Sequence, residues 1–159
     1  MATVQLNKKV PAFNAESTGG AFSLADCAGK NVVIWFYPRD NTPGCTREGQ
    51  DFRDNIAKFR RNKTVVVGVS RDSMASHEKF RDKQAFPFEL LSDKDETLCG
   101  LFDVIKEKNM YGKKVMGIER STFLIDATGK LRREWRKVKV DGHVDEILEA
   151  VRELNSAQK

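Results

Sequence analysis

The sequence has few of the residues that mark several large classes of protein. Among 159 residues there are 3 cysteines, 4 prolines and 11 glycines, too few for a disulfide-stapled scaffold, a collagen-like repeat or a proline- and glycine-rich disordered chain. The longest uninterrupted apolar run, Val32 to Tyr37, has the length of a β-strand and is far too short to span a membrane. A chain of 159 residues is long enough to be stabilised by hydrophobic burial without a disulfide framework or a structural metal, so we expect a single domain over residues 1–159.

The charges are mixed along the chain. Lysine and arginine number 28 against 23 acidic residues, which gives a formal net charge of +5. The densest basic stretch, residues 132–139, is interpreted as a solvated strand face, because no nucleic-acid-binding motif accompanies it. We therefore expect neither a nucleic acid nor a membrane as a partner. The first nine residues lack the apolar segment of a secretory signal, and the cysteines follow no disulfide pattern, so we expect a reducing, cytoplasmic location.

Apolar strands and amphipathic helices alternate along the sequence. Residues 1–30 are expected to form loops and a short hairpin, and 32–37 and 64–69 are predicted as strands covered on both faces. Between them, Thr42 and Pro43 are typical of a helix start, and residues 45, 49, 52, 56 and 59 recur at helical spacing. Further predictions are helices over 73–84, over 94–101 and from 141 onward, a strand or connector over 86–92, and a hairpin over 120–125 and 130–136. This order indicates an α/β, thioredoxin-like fold: a central mixed sheet flanked by helices, with an N-terminal hairpin extension.

Cys45 is the candidate for chemistry. It follows the carboxyl end of a central strand and falls in the first turn of a helix, and ligands of open α/β sheets bind in that crevice. The unpaired N–H groups and the dipole of a helix start favour a thiolate over a thiol. A purely structural role as the first residue of the apolar stripe is less favoured, because residues 42–44 form a tight, rigid approach that is expected to present the sulfur near the surface.

The spacing around Cys45 excludes dithiol exchange at this helix. A thioredoxin-like exchanger needs a second cysteine three residues before Cys45, and that position is Thr42. A lone thiolate cannot close a two-cysteine cycle locally. It can, however, attack an oxygen and become a sulfenic acid.

The residues around Cys45 resemble a known active-site signature. The pattern Pro38-x-x-x-Thr42-x-x-Cys45 is similar to that of peroxiredoxins, and the longer run 36–48, FYPRDNTPGCTRE, closely resembles the bacterioferritin-comigratory-protein, or peroxiredoxin Q, subfamily. The resemblance covers nearly the whole chain, with further similar stretches in order at residues 11–13, 23–26, 29–30, 90–93, 111–114 and 117–126. It implies a thiol-dependent peroxidase acting on hydrogen peroxide and small organic hydroperoxides, without a cofactor or a metal.

The resemblance also implies roles for individual residues. Cys45 would be the peroxidatic cysteine, whose thiolate attacks the terminal peroxide oxygen. Thr42 would hydrogen-bond the sulfur and the peroxide, Arg120 would hold both with its guanidinium, and Pro38 would shield the pocket. Glu48 either orients Arg120 or a loop, or simply favours the first turn of its helix.

The sequence departs from the subfamily at the resolving cysteine. Many members carry it five residues after the peroxidatic cysteine, where this chain has Gln50, and others carry it on the following helix, where residues 73–84 contain none. Cys99 lies in an apolar stretch typical of a buried, inert thiol, and Cys27 lies in a loop where exposure is expected. We therefore favour a one-cysteine cycle completed by an external thiol: glutathione, a glutaredoxin or a thioredoxin.

Two alternatives stay open at the level of sequence. In the first, Cys99 or Cys27, in the same or a second chain, resolves Cys45 in a two-cysteine cycle. In the second, Cys45 is the switch of a redox-sensing or chaperone-like protein and reacts once without turnover. The resemblance favours a monomer or a weak dimer. His77 and His143 have no partner at a spacing that suggests a catalytic triad, and both are expected to be surface or capping residues.

Overall fold

A seven-stranded sheet forms the centre of the computed structural model, which describes residues 3–157. Within those residues the strands are β1 (Asn14–Ser17), β2 (Gly20–Ser23), β3 (Asn31–Phe36), β4 (Thr64–Ser70), β5 (Glu89–Ser92), β6 (Ile105–Met110), β7 (Lys113–Ile118), β8 (Ser121–Ile125) and β9 (Leu131–Trp135). The helices are α1 (Pro43–Asp54), α2 (Ile56–Arg61), α3 (Met74–Gln84), α4 (Thr97–Leu101) and α5 (His143–Ala157), with a 3-10 turn over Leu24–Cys27. The outermost ends of the predicted domain, 1–2 and 158–159, lie outside the described residues.

The sheet is mixed, as the sequence predicts. Its strand order is β2-β1-β5-β4-β3-β8-β9, while β6 and β7 pair with each other in a separate two-stranded sheet. Strands β3, β4 and β5 run parallel, and β8, β9, β1 and β2 are antiparallel to their neighbours. The β1–β2 pair is the predicted N-terminal hairpin, and β8–β9 is the predicted hairpin near the C-terminus. The stretch predicted as a strand or connector contains a strand, β5.

Strand β3 is buried on both faces, which explains its continuous apolar run. Successive side chains enter different cores, because neighbouring residues of a strand point to opposite faces. One core, here the α1-face core, includes Val33, Trp35, Tyr37, Cys45, Phe52, Phe59, Phe80, Leu124, Ile147 and Val151. The other, the α4-face core, includes Cys27, Val32, Ile34, Phe36, Leu98, Cys99, Phe102 and Phe123. The sheet therefore separates Cys45 from the other two cysteines.

Three helices differ in extent from their predictions. The apolar residues recur at helical spacing as far as Phe59, but α1 ends at Asp54 because Asn55 leaves helical geometry (φ −112°, ψ 6°). The last apolar residues of this pattern, Ile56 and Phe59, lie in α2. Helix α4 begins at residue 97 and not 94, because Glu96 has a positive φ of 62°. Helix α5 begins at residue 143 and not 141, because Gly142 has a φ of 74°.

The β6–β7 hairpin is an element that the sequence reasoning missed. Most of its side chains are at least partly exposed, so its residues lack the apolar alternation by which strands are recognised. The turn is made by Tyr111 and Gly112, whose φ values are 53° and 79°. Two consecutive positive φ values are typical of the tight type I′ hairpin turn.

Gly49 provides a test of how closely α1 packs on its neighbours. A Cβ at this position would lie 2.9 and 3.1 Å from two ring atoms of Phe86, and Phe86 is stacked on Phe88 with ring centroids 4.9 Å apart. Because that ring has little room to move, we expect Gly49→Ala to lower the free energy of unfolding by about 1–3 kcal/mol. Urea unfolding measures the loss. Gly100→Ala is the matched control, since its Cβ would meet open space, and an equal effect of both variants would contradict the packing argument.

Candidate active site

The sheet places Cys45 at the carboxyl end of β3. The chain leaves β3 at Phe36, passes through a loop and enters α1 at Pro43, with Thr42 as the N-cap residue. Cys45 is therefore in the first turn of α1, as predicted. Its side chain is 0% exposed, so the expectation of a sulfur near the surface is wrong: the side chain belongs to the α1-face core as well as to the helix start.

Asp40 fixes the loop that precedes Cys45. Its carboxylate accepts hydrogen bonds from the Tyr37 hydroxyl at 2.7 Å and the Ser76 hydroxyl at 2.8 Å. It also contacts Nδ1 of His77 at 2.8 Å, and the Asp40 backbone N–H donates to the Asp72 carboxylate at 2.9 Å. These bonds join the end of β3 to α3 and hold the approach to α1 in one conformation.

His77 belongs to this buried network and not to the surface. It is 0% exposed, which corrects the expectation of a surface or capping residue. Its Nε2 lies 2.9 Å from the Leu91 carbonyl, so Nε2 carries a proton there, while Nδ1 faces Asp40. Ligand atoms of Asp40, Asp72 and His77 all lie within 4.8 Å of one another, but both ring nitrogens of His77 already have protein partners. We assign the cluster to positioning of the loop, and the absence of a metal stays a prediction.

Arg120 brings a positive charge to the sulfur. It lies between β7 and β8, and the antiparallel pairing of β8 with β3 carries it to the start of α1. One of its terminal nitrogens, Nη2, donates to Sγ of Cys45 at 3.4 Å. A Cβ on Gly44 would lie 3.1 Å from the same nitrogen, so the glycine leaves the guanidinium room over the helix start. The guanidinium and the helix N-terminus together stabilise a negatively charged sulfur.

Glu48 contacts Arg120 from the next turn of α1. The second terminal nitrogen of Arg120, Nη1, donates to Glu48 Oε1 at 2.6 Å, and the Glu48 side chain is 0% exposed. Among the roles left open by the sequence, the geometry selects orientation of Arg120. Burial raises the pKa of Glu48 to about 7, although the charge of Arg120 partly offsets the effect.

His143 lies beside Glu48 at the start of α5. Its Nε2 is 2.8 Å from the Thr122 hydroxyl and 3.9 Å from Glu48 Oε2. The residue is 4% exposed, so the expectation of a surface or capping position is wrong here too. Burial lowers the pKa of His143 to about 4, which keeps the imidazole neutral near pH 7. A signal was present in the sequence, because residues 143, 147, 150 and 154 form a helical stripe of which the other three are apolar.

Thr42 and Pro38 border the same loop. The Thr42 hydroxyl donates to the carbonyl of Arg39 at 2.9 Å, which leaves the lone pairs of its oxygen free to accept a hydrogen bond. Pro38 is half-buried directly after the buried Tyr37. The hydrogen bonds from Thr42 to sulfur and peroxide, and the shielding by Pro38, stay predictions.

Lys108 on β6 is a charged neighbour of the site that sequence reasoning missed. Its ammonium group donates to the carbonyl of Ile118, two residues before Arg120. Burial lowers the pKa of Lys108, the charge of Arg120 lowers it further, and the charge of Cys45 acts in the opposite direction. The β6–β7 hairpin thus supplies a second cation to the surroundings of Cys45.

Cys27 and Cys99 lie away from this site. Both belong to the α4-face core, and Cys27 precedes β3 whereas Cys45 follows it, which places the six-residue strand between them. Cys27 is 8% exposed, so its expected exposure is wrong, and burial raises its pKa. Burial and the neighbouring Asp93 raise the pKa of Cys99 far above its ordinary value, which fits the inert thiol expected from the sequence.

Several known proteins are similar to this chain in sequence and in fold. Residues 6–134 match the model of the AhpC/TSA family. The chain belongs to that family. It is 54% identical to peroxiredoxin Bcp of Xanthomonas campestris over 136 residues, covering 86% of this chain and 85% of the relative. It is 46% identical to peroxiredoxin Bcp of Bacillus subtilis over 154 residues, covering 96% and 98%. The structure of the X. campestris bacterioferritin comigratory protein superposes with a TM-score of 0.87 at 48% identity, covering 98% of this chain and 99% of that one.

These comparisons confirm the resemblance seen in the sequence. The chain is a peroxiredoxin of the bacterioferritin-comigratory-protein, or peroxiredoxin Q, subfamily, with the predicted thioredoxin-like fold, and it is a thiol-dependent peroxidase. Within residues 3–157 the structure contains no helix both long and apolar enough to cross a bilayer.

Proposed function

We propose that this peroxiredoxin reduces hydrogen peroxide and small organic hydroperoxides in a one-cysteine cycle. The observation that carries the proposal is the contact of the Arg120 guanidinium with the Cys45 sulfur at 3.4 Å. Among the described residues of the α1-face core, Cys45 is the one cysteine. The X. campestris bacterioferritin comigratory protein reduces alkyl peroxides, which supports organic hydroperoxides as substrates here as well.

The first half of the cycle oxidises Cys45. Its thiolate forms an S–O bond with the terminal peroxide oxygen, the O–O bond breaks, and the second oxygen leaves with the electron pair as hydroxide or alkoxide and takes up a proton. Arg120 and the Cys45 backbone N–H stabilise the charge as it moves from sulfur to the leaving oxygen. Thr42 accepts a hydrogen bond from the peroxide, and Pro38 limits access of water. The product is a neutral sulfenic acid.

The second half of the cycle uses an external thiol. One thiol condenses with the sulfenic acid, releasing water and leaving a mixed disulfide, and a second thiol displaces Cys45 as a thiolate. Two structural facts support this route. First, Gln50 occupies the usual resolving position and donates a hydrogen bond to Gln84 at 2.9 Å, which links α1 to α3. Second, the sheet lies between Cys45 and the other two cysteines. Glutathione, a glutaredoxin or a thioredoxin supplies the reducing equivalents.

Intact-mass analysis tests the one-cysteine cycle. Reduced wild-type protein and the variants Cys27→Ser and Cys99→Ser receive one equivalent of hydrogen peroxide in the presence of dimedone, a sulfenic-acid trap. We expect one dimedone adduct, mapped by peptide mass to Cys45, in all three proteins.

Two other outcomes would contradict this proposal in different ways. A loss of two mass units that disappears in either cysteine variant would identify that cysteine as a resolving residue and favour the two-cysteine cycle. An adduct on Cys45 without continued peroxide consumption when glutathione or a thioredoxin system is present would favour a redox sensor. The cytoplasmic location, the monomer or weak dimer and the lack of a nucleic-acid partner stay predictions.

A further inference from the structure

One guanidinium faces two acidic groups in this site. Arg120 donates to the Cys45 sulfur through Nη2 and to Glu48 Oε1 through Nη1. Both acidic side chains are 0% exposed, so water cannot compensate a second negative charge. Arg120 is the cation in hydrogen-bond contact with both groups, whereas the nearby Lys108 ammonium donates to the Ile118 carbonyl. Because the two acids share one guanidinium, a second ionised acid beside it carries a large desolvation cost.

The other surroundings of Glu48 give an ionised carboxylate little further support. Its Oε2 has no hydrogen-bond partner among the described residues, and Nε2 of the His143 imidazole lies 3.9 Å from it. Burial keeps that imidazole neutral near pH 7. On its own helix, the charge of Asp51 disfavours ionisation of Glu48. The hydrogen bonds between α1 and α3 involve other residues of α1, because Gln50 donates to the Gln84 side chain and Arg53 donates to the Gln84 carbonyl. Glu48 is thus a buried carboxyl group whose pKa is raised to about 7, and it shares Arg120 with the sulfur of Cys45.

We propose that Glu48 and Cys45 hold one negative charge between them, and that Glu48 releases a proton when Cys45 is oxidised. The inference rests on the proposed peroxidase cycle. While Cys45 is a thiolate, Arg120 is engaged by the sulfur and Glu48 is protonated. Oxidation to the neutral sulfenic acid frees the guanidinium for Glu48, which then ionises.

The proton balance of the first step follows from this exchange. Thiolate, protonated Glu48 and ROOH become sulfenic acid, ionised Glu48 and ROH, so the proton lost by the carboxyl group equals the proton gained by the leaving oxygen. The charge is −1 on both sides. Glu48 acts through Arg120 and not on the peroxide itself, so it is a positioning and charge-balancing residue. His143 supports it by staying neutral, because a second cation there would stabilise the ionised carboxylate in every redox state.

Proton uptake during a single turnover tests the inference. Reduced protein in weakly buffered solution just below pH 7 receives one equivalent of hydrogen peroxide, a pH indicator dye reports the protons consumed, and intact mass reports the oxidised Cys45. We expect Glu48→Gln, which keeps an acceptor for Arg120 but cannot ionise, to take up close to one proton per oxidised chain. We expect the wild type, whose carboxyl group supplies the proton internally, to take up much less than half of that amount. Glu149→Gln removes an exposed carboxylate and is expected to match the wild type.

The outcomes distinguish this inference from the proposed function. Oxidation of Cys45 with equal proton uptake in wild type and Glu48→Gln would overturn the charge sharing and leave the peroxidase cycle intact. Failure of wild-type Cys45 to react would overturn the peroxidase cycle, and the inference with it. Infrared difference spectra of the wild type provide a measurement without a variant: loss of a protonated-carboxyl band on oxidation supports the inference, and an unchanged band contradicts it.

Discussion

Peroxide consumption is expected to disappear when Cys45 is replaced by serine, with a loss on the order of 10⁴-fold or more. A serine hydroxyl at this position is not ionised near neutral pH, and it offers no soft nucleophile to the weak O–O bond. The measurement is the rate of hydrogen peroxide removal with excess dithiothreitol as the reductant, for wild type and Cys45→Ser under the same conditions.

The other two cysteines supply matched controls for this experiment. Cys27 and Cys99 lie in the core on the opposite face of the sheet, so Cys27→Ser and Cys99→Ser are expected to keep the wild-type rate within a factor of about two, as for substitutions remote from the reacting atoms. A Cys45→Ser protein that still consumed peroxide, or a cysteine variant that lost activity while its circular dichroism was unchanged, would place the reacting sulfur elsewhere.

Arg120→Met is expected to slow the oxidation of Cys45 by about 10²–10³-fold, the range found when one preorganised charge-stabilising donor is removed. Methionine retains much of the side-chain length but loses both the donor to Cys45 and the donor to Glu48. The rate is measured in a single turnover with limiting peroxide, so that reduction of the sulfenic acid does not contribute. Arg132→Met, which removes an arginine paired with Asp126 at 3.2 Å, is expected to react at the wild-type rate.

Folding of the Arg120 variant needs its own control, because the substitution leaves Glu48 buried without its cation. The double variant Glu48→Gln/Arg120→Met removes that carboxyl group and is expected to unfold at a higher urea concentration than Arg120→Met at pH 8. Loss of the Arg120 charge raises the pKa of Glu48 further, and a carboxyl group that stays protonated in the fold but ionises on unfolding destabilises the fold at that pH. Both proteins are expected to stay slow toward peroxide. Recovery of the wild-type rate in the double variant would show that Arg120 acts on the fold and not on the sulfur.

The elements that position the sulfur could be read from the sequence because their signals are local. The apolar run of β3 and the Thr42–Pro43 helix start lie side by side in the chain, and together they place Cys45 at the carboxyl end of a strand. Arg120 is 75 residues from Cys45 in the sequence, and it reaches the Cys45 sulfur only because β8 pairs with β3. In the sequence, only the resemblance to a family indicates a role for Arg120.

The parts that could not be predicted are those in which polar groups are buried by tertiary contacts. The sequence predicts His77 and His143 as surface or capping residues because neither has a partner at a spacing that suggests a triad, yet each is buried with hydrogen-bond partners from other elements. The sequence is compatible with three roles of Glu48, and only its contact with Arg120 distinguishes among them. Lys108 belongs to a polar hairpin without apolar alternation, so neither its strand nor its proximity to Cys45 had a local signal.

The separation of the thiols by the sheet leaves Cys45 open to irreversible over-oxidation when peroxide is abundant. Because the other two cysteines, both among the described residues, lie in the core on the opposite face of the sheet, the sulfenic acid of a one-cysteine cycle is reduced only when an external thiol reaches it by diffusion. A further peroxide molecule competes for the same sulfur and converts it to sulfinic acid, a dead end for this chain's own chemistry. The rate at which molecules are inactivated then depends on the ratio of peroxide to thiol in their surroundings. The fraction of chains that carry a sulfinic acid at Cys45 therefore reports how high that ratio has been.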